Sequence, residues 1–190
     1  MPHKKRCNMK IFYFITLIIL GVSQTFGASY SQEFIQAVSD EEDQQFREIF
    51  PQADLFSIKS GALPHHNAYK TDPESGVNTL VGFVFMTDEV EPDEWAYGGE
   101  IEALVGMTTE GVITKVKIVD HYEPFGYFSI DPPEFATQFD GKSILERFEE
   151  GYDVDSVTGA TITVDGAARV IRKSARRIAR AYIARTNSEK

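Results

Sequence analysis

The chain has 190 residues, 42% hydrophobic and 25% charged, enough for one globular core without disulfide or metal staples. Nineteen basic residues against 29 acidic give a net charge of −10, which argues against nucleic acid or anionic lipid as a partner. A single cysteine excludes an internal disulfide, a thiolate zinc cluster and a ligated iron–sulfur centre, and neither a C-x-x-C-H haem signature nor a fixed repeat period occurs.

The N-terminus reads as an export signal, residues 1–27. Lys4, Lys5, Arg6 and Lys10 form a positive region, Ile11 to Val22 is apolar without charge, and Thr25-Phe26-Gly27 puts small residues at −3 and −1 of a cleavage site. The apolar run is short for a membrane span, and an uncleaved anchor is the alternative. Cys7 precedes the apolar run, whereas a lipoprotein cysteine would follow it. The expected location is periplasmic or otherwise extracytoplasmic. The mature chain, 28–190, would keep 15 basic and 29 acidic residues, a net of −14. Eight of the basic residues fall within 166–190, so an acidic body precedes a basic terminal helix.

Ser39-Asp40-Glu41-Glu42 is a capping-box pattern that opens a helix running to about Phe50, with Pro51 closing it. Gly61 to Gly76, with Pro64 and Pro73, reads as loop, and His65 and His66 within it as solvated side chains. Asn78 to Met86 is a predicted strand. Asp88 to Glu94 reads as an acidic surface turn, with calcium binding the alternative. Ile101 to Met107 and Val112 to Val119 are predicted strands joined by Thr108-Thr109-Glu110-Gly111. The pattern breaks at Asp120 to Phe128, where Pro124 and Gly126 lie beside His121, Glu123 and four aromatics. Short helices are predicted around Glu134 to Phe139 and Ser143 to Glu150, before a small, polar stretch from Asp153 to Thr163. From Val164 to Tyr182 the apolar residues recur at helical spacing, and the opposite face carries Arg169, Arg172, Lys173, Arg176, Arg177 and Arg180. That face reads as solvated, with complementing the helix's C-terminal dipole or the acidic body, or docking of a redox partner, as alternatives. These elements make one α+β domain with an antiparallel-rich sheet packed by helices.

The segment Asp155-Ser156-Val157-Thr158-Gly159-Ala160-Thr161 leaves the backbone open at Gly159 and Ala160 and flanks it with hydroxyls at Thr158, Thr161 and Thr163. It directly precedes the strongest predicted helix, and a helix N-terminus with free N–H groups is a natural seat for a phosphate. Simple capping of the helix by Thr161 or Thr163 is the plain alternative.

This segment resembles the D-x-x-(S/T)-G-A-T flavinylation motif of the covalent FMN-binding domain family. That family includes the G subunit of Rnf complexes, the C subunit of sodium-translocating NADH:quinone reductase and the N-terminal domain of NosR. Gly99 to Gly106 with Glu110 to Ile113, Phe135 to Lys142, and the turn Ile118 to Pro124 are similar to further family segments, the turn most closely to the NosR version. The Rnf-type members have Glu-Thr-Pro-Gly where this chain has Glu123-Pro124-Phe125-Gly126, and the iron–sulfur and multi-span parts of NosR are absent.

The resemblance implies FMN held by a phosphoester on Thr161, transferred from FAD by a flavin transferase. Asp155, Thr158, Gly159, Ala160 and Thr163 would be fitting residues, and His121, Glu123, Pro124 and Gly126 would belong to the pocket turn. Phe125, Tyr127 and Phe128 are candidates to wall the flavin ring. No nucleophile–base pair, metal cluster or nucleotide-binding glycine loop stands out. The expected function is therefore that of an exported electron carrier between membrane or soluble redox partners, rather than an enzyme. A periplasmic binding or regulatory module without electron throughput is the alternative, and an unflavinylated structural subunit a third.

Overall fold

The computed structural model describes residues 38–183, so the expected export signal, residues 1–27, lies outside the described residues. Helix α1 (Asp40–Ile49) begins with the expected capping box: Ser39 Oγ accepts the Glu42 N–H at 3.4 Å, and Glu42 Oε2 accepts the Ser39 N–H at 3.2 Å. Four acidic residues then occupy its first turn, where the helix dipole favours them. Strands β1 (Leu55–Phe56), β2 (His66–Thr71), β3 (Asn78–Met86), β4 (Ile101–Thr108) and β5 (Ile113–His121) follow one another across a five-stranded antiparallel sheet. Short helices α2 (Thr87–Val90), α3 (Gly126–Ser129) and α4 (Pro133–Thr137) punctuate the connections. The last element is α5 (Thr161–Ile178), continued by a wider π-helical turn over Ala179–Ile183.

Strand alternation divides the core in two. Phe83 and Phe85 of β3 and Ala103, Val105 and Met107 of β4 point towards α5, where Val164, Ala167, Ile171 and Ala175 meet them fully buried. Val84 and Leu104 point the other way, against Phe46, Ile49 and Phe50 from the end of α1. A bulge opposite β5 at Gly106/Met107 lets Ile113 and Val116, three residues apart, share the α5 side. The α+β architecture read from the sequence is the one observed.

Three local expectations change. The stretch read as loop contains β2, and His65 and His66 are buried rather than solvated, at 4% and 5% exposure. His66 Nδ1 bonds the Ser57 carbonyl at 2.8 Å and its ring packs on Phe46, and burial holds its pKa below the ordinary value. Ser143 to Glu150 is not a helix. Phe148 turns to φ +49°, its ring fully buried against Phe139, and Asp153 accepts the N–H groups of Phe148 (3.0 Å) and Glu149 (2.7 Å) in place of helical carbonyls.

The third change concerns the basic face of α5, which is engaged with the molecule. Arg169 pairs with Glu94 and Asp165 and donates to the Trp95 carbonyl, and Lys173 pairs with the same Glu94. Arg177 holds the Val90 carbonyl and Glu91, while Arg172 and Arg176 donate to carbonyls of the segment Ile144–Phe148. Burial alone would raise the Glu94 pKa, but the Lys173 and Arg169 hydrogen bonds outweigh it and hold the carboxyl below its ordinary value. The acidic run is thereby strapped to the helix instead of standing free in solvent.

Candidate functional site

The sequence makes the first turn of α5 unusually open. Val157 to Ala160 form a turn closed by the Ala160 N–H on the Val157 carbonyl at 3.0 Å, with Gly159 in third position at φ +83°. A positive φ at that position is the requirement of a type II turn, and nothing lies within 4 Å of where a Cβ would stand, so Gly159 is needed for its backbone angle and not for space. The helix then starts at Thr161, three residues before Val164, with Ala160 at the cap position and no side chain capping the end. Val164 N–H makes the first bond, to the Ala160 carbonyl at 3.0 Å. The N–H groups of Thr161, Ile162 and Thr163 are left without helical partners, at the positive end of an 18-residue helix with no acidic residue in its first turn. Capping by Thr161 or Thr163 is thus not the role of either hydroxyl: Thr161 is exposed, and Thr163 donates to Glu123 Oε2 at 2.5 Å.

A cavity of ≈ 320 Å³ opens on this turn, lined by Tyr97, Phe125, Gly159, Ala160, Thr161, Ile162 and Thr163. Its two aromatic walls, Tyr97 and Phe125, have ring centroids 6.5 Å apart, tilted by 35°. One carboxylate fixes both wall segments. Glu123, 5% exposed, accepts the Gly98 N–H on Oε1 at 2.5 Å and the Thr163 hydroxyl on Oε2, tying the segments of Tyr97 and Phe125 to the third residue of the helix. The Glu123 N–H in turn donates to His121 Nδ1 at 3.1 Å, leaving Nε2–H to donate to Asp131 Oδ1 at 2.8 Å. Gly126 lies flat under the His121 ring, which a Cβ there would strike. Ser129 Oγ donates to the Phe125 carbonyl at 2.8 Å and holds the end of the turn.

Of the residues singled out in the sequence, Gly159, Ala160, Thr161 and Thr163 line the cavity, and His121, Glu123 and Gly126 brace its wall from behind. Asp155 does not line it; its N–H donates to Gln138 Oε1 at 2.6 Å, which anchors the start of the motif, and its side chain is exposed. Thr158 and Pro124 are exposed at the rim of their turns. Phe125 lines the cavity, whereas Tyr127 and Phe128 stand outside the lining. Tyr97 and Ile162 were not anticipated. Tyr97 precedes the Gly98-Gly99 pair, where the chain passes close to Tyr122, and that pair was the available signal. A larger hollow of ≈ 440 Å³ lies near the other end of α5, among Glu110, Ile144, Leu145, Arg176, Ala179, Arg180 and Ile183. It offers no hydroxyl that could take a phosphoester, although Arg176 and Arg180 line it.

An unprotected helix N-terminus, an exposed hydroxyl in its first turn and two aromatic walls fit the phosphate and the flat ring of a flavin mononucleotide. Comparison with known proteins agrees. Residues 96–176 match the FMN-binding domain family. Over 179 residues the chain is 24% identical to the G subunit of the ion-translocating oxidoreductase complex of Vibrio parahaemolyticus, covering 84% of this chain and 85% of that one. It is 25% identical over 178 residues to the G subunit of the proton-translocating ferredoxin:NAD(+) oxidoreductase complex of Clostridium ljungdahlii, covering 90% and 88%. With the G subunit of the ion-translocating oxidoreductase complex of Pseudomonas aeruginosa the identity is 31% over 90 residues, 42% of each chain. The match at 96–176 takes in the Tyr97 wall and the greater part of the helix that begins at Thr161.

Proposed function

We propose that the protein is an electron-transfer flavoprotein that works outside the cytoplasmic membrane with FMN attached to Thr161 through a phosphoester. The observation that carries this reading is the exposed Thr161 hydroxyl at the first position of an uncapped helix, facing a cavity with aromatic walls. The Thr161 oxygen forms the bond to phosphorus and its proton is lost; with FAD as donor and a flavin transferase as catalyst, AMP is the leaving group. The N–H groups of Thr161, Ile162 and Thr163 would be the donors available to hold the phosphate, and Tyr97 and Phe125 would offer the surfaces for the ring. Bound flavin supplies reversible uptake of one or two electrons. Glu123, His121 and Asp131 keep the wall in place, so the chain tunes the cofactor by packing and hydrogen bonding. Attachment suits an exported carrier, because a tethered flavin stays at high effective concentration without a surrounding pool. The relatives named as subunits of oxidoreductase complexes support membrane redox partners for this chain.

Redox cycling tests the reading. Protein isolated from cells that make a flavin transferase is expected to bleach in its visible flavin bands on dithionite addition and to recover them with an added acceptor, while Thr161→Ala stays folded and colourless. A folded Thr161→Ala protein that transfers electrons as well as the wild type would overturn it. A colourless wild type, beside a control substrate that the same transferase does load, would point to the binding or regulatory module.

A further inference from the structure

Tyr97 walls the cavity, yet it is 62% exposed, so packing around its ring does not locate it. Its backbone is held instead. The turn that carries it is closed by the Ala96 N–H on the Gly99 carbonyl at 2.8 Å. On one side of Tyr97, the Gly98 N–H donates to Glu123, and the Gly98 backbone lies so close to Tyr122 that a Cβ would stand 2.2 Å from the Tyr122 carbonyl oxygen. On the other side, the contacts run to α5. Arg169 donates to the Trp95 carbonyl at 2.9 Å while pairing with Glu94, and Ala96 seats on the helix at Gly166. A Cβ on Gly166 would lie 2.4 Å from the Ala96 Cβ, well inside contact distance.

These fastenings exceed what the helix needs for itself. Glycine inside a helix is less favourable than alanine, and the nearest atoms that a Cβ on Gly166 would meet all belong to Ala96. The helix accepts the weaker residue and Ala96 comes close. Lys173 pairs with Glu94 without Arg169, but the planar fork of Arg169 spans Glu94, Asp165 and the Trp95 carbonyl at once. Gly166 and Arg169 follow Thr161 on the same helix, about 7.5 and 12 Å further along its axis. One rigid element thus carries the Thr161 hydroxyl and fastens the segment of the facing wall.

Building on the flavin reading, we propose that Arg169 and Gly166 are positioning residues for the cofactor: they set the distance between the attachment point at Thr161 and the Tyr97 wall, and so hold that wall against the flavin ring. Neither residue lines the cavity. Both act through the backbone of Trp95 and Ala96. A wall fixed in this way needs no reorganisation when the ring arrives, and a phenol held against a flavin quenches its fluorescence.

Amide order parameters of the flavin-free protein come first. At Ala96, Tyr97 and Gly98 the wild type is expected to show about 0.85, the value of rigid backbone, and Arg169→Gln and Gly166→Ala to fall below about 0.6. Lys173→Met removes the other partner of Glu94 but leaves the Trp95 carbonyl bonded, and is expected to stay rigid. Combining Gly166→Ala with Ala96→Gly exchanges the two residues, takes away the clashing methyl and is expected to restore rigidity. In flavin-loaded protein, Arg169→Gln and Gly166→Ala are expected to fluoresce at least about twofold more brightly than the wild type, as follows when a seated wall becomes half populated. Lys173→Met and the exchanged pair are expected to match the wild type. A rigid segment in Arg169→Gln or Gly166→Ala, equal loosening by Lys173→Met, or a loosened segment with unchanged flavin fluorescence would overturn the proposal. The order parameters are read without flavin, so a failure of the clamp shows there. A failure of the flavin reading shows separately, as missing visible absorbance in the wild type, and takes the proposal with it.

Discussion

From its second turn onward, helix α5 is locked into the molecule: Ala167, Ile171 and Ala175 are fully buried against β3 and β4, and Arg169, Lys173 and Arg177 strap the acidic segment Glu91–Trp95 across its flank. The first turn of the same helix has no side-chain cap, an exposed Thr161 and Ile162, three N–H groups without helical partners, and a cavity beside it. The difference shows how one helix serves both purposes. Packing along its length fixes the position of its N-terminus to within a side chain, and this permits the terminus itself to go without the capping that would otherwise stabilise it. Residues of the locked part should therefore govern stability, and, on the proposed function, residues of the open turn should govern flavin attachment.

Four measurements break or sharpen that contrast. Ile171→Ala, in the fully buried stripe of the locked part, is expected to lower unfolding free energy by about 2–5 kcal/mol in denaturant titration, by lost transfer energy and a residual cavity. A loss below about 1 kcal/mol, as an order-of-magnitude threshold for a surface site, would mean that the helix is not the core element described. Glu123→Ala cuts the link between the cavity wall and the open turn and should have the next largest effect. It strands the Thr163 hydroxyl and the Gly98 N–H, for an expected loss of about 1.5–3 kcal/mol, with Tyr97 freed and flavin fluorescence altered in loaded protein.

Acid titration gives a smaller, staged effect. The pKa of His66 is lowered on folding, so the unfolded chain binds the extra proton first, and stability should begin to fall as pH drops below its ordinary value of 6.5. Glu94 is also lowered, but as a carboxyl whose charged form is favoured in the fold; its contribution is present above pH 4.5 and is lost as pH falls through its folded value. A melting temperature that stays flat from about pH 7 to about pH 4, a window taken to span both ordinary values, would contradict both assignments. Smallest of all should be Thr161→Ala, expected to alter stability by less than about 0.5 kcal/mol because the side chain is exposed and caps nothing.

Much of this was legible in the sequence, for local physical reasons. The capping box at Ser39–Glu42, the hairpin through Thr108–Gly111 and the apolar periodicity after Val164 each depend on neighbours a few residues away. What was missed depends on distant partners. The sequence of β2, His-Asn-Ala-Tyr-Lys-Thr, has little strand character of its own and is a strand because β3 pairs with it along its length. Ser143 to Glu150 has helical composition, yet Arg172 and Arg176 draw its carbonyls towards α5 and Asp153 takes its N–H groups. At the site, the motif from Asp155 to Thr161 was visible as small residues before a helix. That Tyr97 forms the facing wall was not, since it is brought there through Gly98 and Glu123 from 64 residues earlier in the chain.

The intact mass of the protein purified from cells that express a flavin transferase tests the central claim most directly. An increment of one FMN less one water is expected, absent from Thr161→Ala, with the two proteins unfolding at the same denaturant concentration. An unmodified wild-type mass, obtained while the same transferase loads a control substrate, would contradict it.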